Sequence, residues 1–265
     1  MIPQNKNDFF PVLSIAGSDN SGGAGIQADI KTFMAMGCFG LSAVASVTVQ
    51  NPDKFAFYEA VAPALVYQQI EYAVNYCKPL AVKTGMLATV ANLQVVAKAI
   101  ADFRLPSLVM DPVLASSNGE MMTEANYVDI LKSELIGHCF VITPNRMEAE
   151  ILSGISIESY DDVQRAAHII FEMGPKNVVI KGGHLHFDNE NSVDTLFTGK
   201  GYHKYSFKKI NFKKSFHGTG CTFSAALCAS LARGFDIQKS IEYAKLYLIG
   251  AMQSSFFPGV LNHSA

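Results

Sequence analysis

Short apolar segments alternate with longer amphipathic segments along most of the chain, and this alternation limits the folds open to it. Short segments rich in apolar or β-branched residues, which predict buried strands, occur at 12–16, 41–49, 81–84, 107–110, 139–142 and 177–180. Apolar residues at helical spacing predict helices near 24–36, 64–76, 90–103, 124–135, from about 148, 161–172, 223–233 and 237–252. Buried strands that alternate with helices are typical of a mainly parallel sheet covered on both faces. We therefore predict an α/β fold.

The last predicted strands have a different arrangement. Segments 192–197 and 202–207 flank the turn sequence Thr198-Gly199-Lys200-Gly201, which predicts an antiparallel hairpin. Hydrophobic residues make up 49% of the 265 positions, enough to bury one large core. We expect a single domain over residues 1–265.

Charge and cysteine content exclude several classes of partner. The net charge is -2 and there is no basic run, which speaks against nucleic acid or a membrane surface as the partner. No segment reaches the roughly 18 apolar residues of a membrane span, and residues 1–17 lack the pattern of a signal peptide. The five cysteines show no C-x-x-C spacing, so they predict neither a disulfide framework nor a zinc site. We expect a reduced, cytoplasmic protein.

A glycine-rich stretch, His217-Gly218-Thr219-Gly220-Cys221-Thr222, precedes the helix predicted from Phe223. Glycines allow close approach of the backbone to a ligand, and a helix N-terminus offers unpaired N–H groups and partial positive charge. Together they predict a socket for an anion such as phosphate. The plain alternative is a glycine loop that leads into a buried helix. Cys221 would lie in the first turn, where the helix dipole lowers the pKa of a thiol.

Polar residues follow several of the predicted strands. Gln50, Asp111, Asn145 and Lys181 each come just after an apolar strand, and the carboxyl ends of strands border the ligand crevice in open α/β sheets. Asp111, Asn145 and Glu148 carry the oxygen ligands that Mg²⁺ prefers, and Lys181 could neutralise phosphate. A structural alternative is that Asn145 and Glu148 form a helix capping box.

Two common phosphate-binding motifs fit the sequence poorly. Gly17 and Gly22 have the spacing of a Walker A loop, but Gly23 stands where that loop requires lysine. Residues 23–28 match G-x-G-x-x-[GA], with Asp53 at about the distance of a ribose-binding acid. In a dinucleotide fold, however, these glycines form the strand-to-helix turn itself, whereas here residues 17–22 intervene. We therefore set a nicotinamide enzyme aside.

Several motifs together resemble one enzyme family along nearly the whole chain. The first runs from Ala16-Gly17-Ser18-Asp19 through Ser21 to Asp29 and Lys31-Thr32-Phe33. The others are Val49-Gln50-Asn51, Lys83-Thr84-Gly85-Met86-Leu87, Asp111-Pro112-Val113, Thr143-Pro144-Asn145 with Glu148-Ala149, Lys181-Gly182-Gly183-His184 and the stretch 217–222. In this combination the sequence resembles the hydroxymethylpyrimidine/phosphomethylpyrimidine kinases of thiamin biosynthesis. That resemblance implies a ribokinase-like three-layer α/β/α sandwich.

The resemblance also implies an activity and a substrate pocket. Members transfer the γ-phosphoryl group of ATP to 4-amino-5-hydroxymethyl-2-methylpyrimidine and then phosphorylate the monophosphate to the diphosphate. By resemblance, Asp29 and Gln50 hydrogen-bond the pyrimidine, and Gly17, Met86 and Val113 line its pocket. An aminopyrimidine offers a donor and ring acceptors, which a carboxylate and a carboxamide can match.

The phosphoryl-transfer groups are implied in the same way. The residues Gly218, Thr219, Gly220 and Cys221 form an anion hole, and the ATP phosphates lie near Lys181, Gly182, Thr219 and Gly220. The resemblance assigns Mg²⁺ and its waters to Asp111, Asn145 and Glu148. For Cys221 two roles stay open, a proton-accepting base or a small residue that shapes the pocket.

Other functions and features remain as alternatives. Pyridoxal kinases, or dual-specificity kinases with the same site, are the nearest, and Gln50 is the residue expected to separate them from the pyrimidine kinases. A pyrimidine-binding protein without catalysis would lack the phosphoryl-transfer groups that this sequence retains. The resemblance implies a homodimer. His184 and His186 alternate without a third nearby ligand and do not predict a metal site.

Overall fold

Nine strands form one sheet in the computed structural model, which describes residues 9–114, 124–183, 185, 187, 190–210, 216–255, 257 and 259–264. Within these residues the strands are β1 (Pro11–Asp19), β2 (Phe39–Asn51), β3 (Lys54–Ala60), β4 (Ala81–Thr84), β5 (Leu108–Met110), β6 (Val141–Ile142), β7 (Val178–Ile180), β8 (Asn191–Phe197) and β9 (Tyr202–Lys208). The order is β3-β2-β1-β4-β5-β6-β7-β8-β9. The six strands from β2 to β7 in that order are parallel, and β3 at one edge and β8–β9 at the other are antiparallel.

Helices cover both faces of the sheet. They are α1 (Gly25–Ala35), α2 (Pro63–Tyr76), α3 (Val90–Asp102), α4 (Tyr127–Ile130), α5 (Arg146–Ser153), α6 (Tyr160–Phe171), α7 (Thr219–Ala232) and α8 (Ile237–Gln253). One core packs the sheet against α2, α3, α5 and α6, and the other packs it against α1, α7 and α8. Successive strand residues point to opposite faces: Leu13 and Val82 join the first core, Val12 and Ala81 the second. The predicted three-layer α/β/α sandwich is confirmed. Among the described residues, every helix is too short or too polar to cross a membrane.

The main differences from the prediction are one missed strand and the starts of two helices. Strand β3, Lys54–Ala60, was not predicted, although Phe55-Ala56-Phe57-Tyr58 is a short apolar run; the strand pairs with β2 and is largely exposed. The helix predicted at 124–135 begins at Tyr127 and continues as a π-helical turn, Leu131–Leu135, and a 3₁₀ turn, Ile136–His138. Helix α7 begins at Thr219, four residues before the predicted start. His184 and His186 lie outside the described residues.

Candidate active site

A cavity of about 560 Å³ lies at the carboxyl ends of the parallel strands, where the polar strand-end residues were predicted to meet. Its lining includes the predicted pocket residues Gly17, Gln50, Met86 and Val113. It also includes the predicted phosphoryl-transfer residues Asp111, Asn145, Glu148, Lys181, Gly218, Thr219, Gly220 and Cys221. Asp29 and Gly182, the remaining predicted site residues, do not line it.

The N-terminus of α7 forms one wall of this cavity. Gly218, the residue before the helix, has a φ of 80°, and a Cβ there would lie 1.9 Å from the carbonyl oxygen of Gly23. Only glycine tolerates both this backbone conformation and this close approach. The two glycine-containing loops, around residues 23 and 218, therefore pack directly against each other. The first N–H groups of a 14-residue helix border the cavity, an arrangement that suits an anion.

A carboxylate–imidazole pair connects the same two loops. His217 Nε2 lies 3.0 Å from Asp19 Oδ2. The Asp19 carboxylate also accepts hydrogen bonds from the Ser21 backbone, the Ser21 hydroxyl and the Ala24 backbone. Burial opposes ionisation of Asp19, but its hydrogen bonds with His217, Ser21 and Ala24 lower its pKa to about 2. Sequence reasoning missed this pair, because its members are 198 residues apart.

The environment of Cys221 raises its pKa, whereas the sequence predicts a lowered pKa. Burial raises the pKa of the thiol to about 11, although Lys83 and the Gly25 backbone N–H act in the opposite direction. The prediction that the helix dipole lowers this pKa is therefore wrong. The dipole effect is modest, whereas removing a thiolate from water in the presence of Asp111 and Asp29 is more costly. At neutral pH the group is a thiol.

Asp111 and Lys181 form an ion pair next to the first turn of α7. Lys181 Nζ donates to Asp111 Oδ1 at 2.7 Å, and Ser224 Oγ donates to Oδ2 at 3.2 Å. A Cβ on Gly220 would lie 3.3 Å from Lys181 Nζ. Burial alone would lower the pKa of Lys181, but the charges of Asp111 and Glu148 raise it. The cavity therefore contains a fixed cation beside a helix N-terminus.

Asn145 and Glu148 form the capping box of α5. Asn145 Oδ1 accepts from the Glu148 backbone N–H, and Glu148 Oε2 accepts from the Asn145 backbone N–H. The structural alternative is thus confirmed, although both residues also line the cavity. Burial, with the negative charge of Asp111, raises the pKa of Glu148 to about 7 despite the opposing charge of Lys181. Among the described residues no cluster of three or more His, Cys, Asp or Glu could hold a metal ion. The metal-binding role of these residues stays a prediction.

Gln50 and Asp29 differ in their position relative to the cavity. Gln50 lines the cavity, and its Nε2 donates to Thr48 Oγ1 at 2.9 Å. Asp29 is fully buried and does not line the cavity; its Oδ2 accepts from Ser14 Oγ at 2.6 Å and from Lys83 Nζ at 2.9 Å. Its other oxygen, Oδ1, has no hydrogen-bond partner within the part of the chain that the structure describes. Direct contact between Asp29 and a ligand stays a prediction.

Gly182 supports the cavity without lining it. Its N–H donates to Asp194 Oδ1 at 2.7 Å, and a Cβ at this position would lie 2.1 Å from the Val193 carbonyl oxygen. Asp194 also accepts from Lys245 Nζ at 2.8 Å. The neighbouring Gly183 and Lys245 line the cavity. The ATP contact of Gly182 stays a prediction. Sequence reasoning missed the Asp194–Lys245 pair. Its only sequence signal is a lysine within a helix and an aspartate within a strand.

A three-layer α/β fold that brings a helix N-terminus and a lysine–carboxylate pair to the carboxyl ends of its strands defines a phosphoryl-transferring enzyme of the ribokinase-like class. The sequence model of the phosphomethylpyrimidine kinase family matches residues 19–264, and the chain belongs to this family. It is a phosphotransferase.

Relatives and solved structures agree with this assignment. The hydroxymethylpyrimidine/phosphomethylpyrimidine kinase of Bacillus subtilis (strain 168) is 40% identical over 247 residues, which cover 93% of this chain and 90% of the relative. The crystal structure of phosphomethylpyrimidine kinase from Clostridium difficile 630 superposes with a TM-score of 0.82 at 35% identity, covering 92% and 99% of the two chains. An ADP complex of Bacillus subtilis pyridoxal kinase superposes with a TM-score of 0.88 at 34% identity, covering 97% and 98%.

Proposed function

We propose that this chain transfers the γ-phosphoryl group of ATP to 4-amino-5-hydroxymethyl-2-methylpyrimidine and then phosphorylates the monophosphate to the diphosphate, for thiamin biosynthesis. The observation that carries the proposal is the cavity itself. On one side it has Gln50 and the small or apolar residues Gly17, Met86 and Val113; on the other it has the N-terminus of α7 and Lys181. An aromatic ring and a phosphate chain would thus meet in one enclosed site. The Bacillus subtilis relative with the corresponding name supports the same substrate.

In this proposal the phosphate groups of ATP bind to the backbone N–H groups of residues 218–221 and to Lys181. These groups stabilise the charge of the transferring phosphoryl group where water is excluded. Mg²⁺ would neutralise further phosphate charge. The available oxygens suit it: Asp111 and Glu148 are buried carboxylates that line the cavity, and an octahedral Mg²⁺ usually keeps several waters. Asn145 would act by holding Glu148 through the capping box.

The acceptor half would recognise the pyrimidine by hydrogen bonds. Gln50 presents a carboxamide at the cavity surface, and the unpartnered Oδ1 of Asp29 is an acceptor for a ring amino group. Cys221, as a neutral thiol, would shape the pocket beside the reacting hydroxymethyl group. Phosphoryl transfer depends mostly on positioning and charge stabilisation, so the reaction does not require a thiolate.

The test is an assay of ADP release with ATP and Mg²⁺, run separately with hydroxymethylpyrimidine, its monophosphate and pyridoxal. Turnover of both pyrimidines, with pyridoxal slower, is the expected result. Turnover of hydroxymethylpyrimidine alone would reject the second phosphorylation. Omission of Mg²⁺, with EDTA present, should abolish turnover, and full activity under that condition would contradict the metal assignment.

Pyridoxal kinase is the second candidate, favoured by the superposition with the Bacillus subtilis enzyme. The residue that should separate the two activities is Gln50. We expect Gln50→Met to lower the ratio of pyrimidine to pyridoxal turnover by about tenfold or more, because the ring loses a hydrogen-bonding partner at the cavity surface. An unchanged ratio would show that Gln50 does not determine specificity.

We further propose that the protein is a homodimer in a reducing, cytoplasmic environment. The resemblance to the family implies the dimer, and the five cysteines, all free thiols, fit the environment. Light scattering should give twice the chain mass of 28.7 kDa. A mass of one chain at micromolar concentration would contradict the dimer.

A further inference from the structure

Lys83 is a charged residue among the buried side chains of one layer of the fold. It lies on β4 directly opposite Ser14 of β1 and Val109 of β5, on the sheet face that α1, α7 and α8 cover. Apolar strand residues of that layer include Val12, Ala81, Val109, Val141 and Val179. Lys83 itself is completely buried. A buried ammonium group is costly unless it is paired or has a function.

The hydrogen bonds of Lys83 are only partly satisfied. An ammonium group has three donors, and within the described residues Lys83 Nζ donates only to Asp29 Oδ2, at 2.9 Å. Ser14 Oγ donates to the same oxygen at 2.6 Å. The other oxygen, Asp29 Oδ1, is buried and has no partner among the described residues. The Lys83–Asp29 pair thus retains unused donors and an unused acceptor, which native proteins rarely leave buried without a reason.

The position of Lys83 relative to the cavity suggests that reason. Lys83 and Gly85 both line the cavity, and a Cβ at Gly85 would lie 3.2 Å from Lys83 Nζ. The absence of a side chain at Gly85 therefore avoids a close contact with the ammonium group. Burial alone would lower the pKa of Lys83, but the negative charge of Asp29, with that of Asp111, raises it. The cation lies within electrostatic range of both the buried Asp29 and the groups at the N-terminus of α7.

We propose that Lys83 is a positioning and specificity-determining residue for the phosphoryl acceptor. With Ser14 it engages Oδ2 of Asp29, which leaves Oδ1 for an amino group of the ligand, while its remaining N–H donors serve an acceptor atom of the same ligand. The pair therefore selects an aminoheterocycle over an analogue that lacks the amino group. This inference rests on the proposed pyrimidine kinase activity.

A single substitution does not separate this role from a structural one. Lys83→Met would leave the Asp29 carboxylate buried without its counter-charge, and loss of folding alone could abolish activity. The double variant Asp29→Asn/Lys83→Met replaces the ion pair with neutral groups of similar size, and such replacements often preserve stability. The matched control is Lys98→Met/Asp102→Asn, which removes a lysine–aspartate pair on the exposed side of α3.

The decisive measurement is discrimination between hydroxymethylpyrimidine and its analogue without the 4-amino group. For the wild type we expect kcat/KM to be at least about 100-fold higher with the amino compound, because a site built for a hydrogen bond rejects ligands that lack it. The folded double variant should lose most of this ratio and raise KM for the pyrimidine at least about tenfold, with KM for ATP changed less than about threefold. The control variant should retain the wild-type ratio.

Each contrary outcome has a distinct meaning. A folded double variant that keeps the wild-type ratio would show that the pair is only structural and would overturn the inference while leaving the proposed function intact. A wild type that phosphorylates no pyrimidine would overturn the proposed function and the inference together. If the double variant does not fold, Ser14→Ala provides the second test. It removes a hydrogen bond to Asp29 Oδ2 and retains the charges, so an unchanged ratio in this variant would also reject the inference.

Discussion

At the scale of single residues, burial and nearby charges influence the pKa of a group more strongly than the rules that apply to exposed groups. Cys221 illustrates this. Its place in the first turn of α7 was read correctly from the sequence, and a helix N-terminus does favour a thiolate. The sequence does not show that the thiol is enclosed with Asp29 and Asp111, whose charges act in the opposite direction. A pKa raised to about 11 favours the pocket-shaping role over that of a base, and the role of Cys221 stays a prediction.

We predict that Cys221→Ala retains turnover within about threefold of the wild type and leaves the pH dependence of kcat unchanged, because so little thiolate exists near neutral pH. The measurement is steady-state kinetics between pH 6 and 9. Cys228→Ala, one heptad later and fully buried on the same helix, controls for loss of packing. A decrease of about 100-fold with loss of one limb of the pH profile would restore Cys221 as the base.

Two adjacent glycines provide a second prediction at this scale. A Cβ at residue 182 would lie 2.1 Å from the Val193 carbonyl oxygen, whereas a Cβ at residue 183 has no neighbour within 4 Å among the residues that the structure describes. We expect Gly182→Ala to lower the free energy of unfolding by about 2 kcal/mol or more, since backbone atoms of β8 must move. Gly183→Ala should change it by less than about 0.5 kcal/mol. Urea unfolding of both variants compares them directly, and equal losses would contradict the steric argument.

At the scale of elements, the sequence predicts strands and helices well where one face is continuously apolar, and poorly where tertiary contacts decide. Strand β4 was predicted with its observed bounds, 81–84, from its place between two predicted helices. The start of helix α7 was predicted four residues too late, because Thr219 and Gly220 are weak helix formers and do not indicate a helix from the sequence. The contact between Gly218 and Gly23 fixes the start of that helix, and no local pattern reveals it.

The first turns of α7 are also held by a residue from the end of the chain. His263 Nε2 lies 3.1 Å from Thr222 Oγ1, and Tyr247 donates to the His263 carbonyl oxygen. Burial, assisted by the charge of Lys31, lowers the pKa of His263 from 6.5 to about 4. The imidazole is therefore neutral in the folded protein at physiological pH.

We predict that the stability of the protein depends on pH through the protonation of His263. Below pH 6.5 His263 is protonated in the unfolded chain, whereas in the folded protein it stays neutral down to about pH 4. The contribution of His263 to the free energy of unfolding is therefore complete above pH 6.5 and decreases progressively to about pH 4. The loss attributable to His263 is about 3 kcal/mol. His263→Gln should unfold with a weaker dependence on pH over this range, measured by urea titration at pH 7, 5.5 and 4.5. Parallel curves for the variant and the wild type would contradict the assignment.

At the scale of the whole molecule, the sequence predicted the layers and the edge of the sheet that carries the site. Most of the proposed residues reach that edge because each follows an apolar strand. The connections between distant segments were not predictable: Lys83 with Asp29, Asp194 with Lys245, and Asp19 with His217. Each joins side chains that only the folded topology brings together, and none has a periodic or spacing signal. The antiparallel strand β3 was missed although residues 55–58 are apolar, because its pairing with β2 is a tertiary contact.

Asp19 allows a test of these long-range connections, because its contact with His217 joins segments that are 198 residues apart in the chain. Its pKa is lowered from 3.8 to about 2, so its contribution to stability is complete above pH 3.8 and disappears as the pH falls through 2. We predict that Asp19→Asn lowers the free energy of unfolding by about 2 kcal/mol at pH 7 and by about half as much at pH 3. Asp129→Asn, on the exposed side of α4, is the control. Urea unfolding at both pH values measures the difference. A constant difference between wild type and Asp19→Asn would mean that the shape of the side chain, not its charge, joins the two loops.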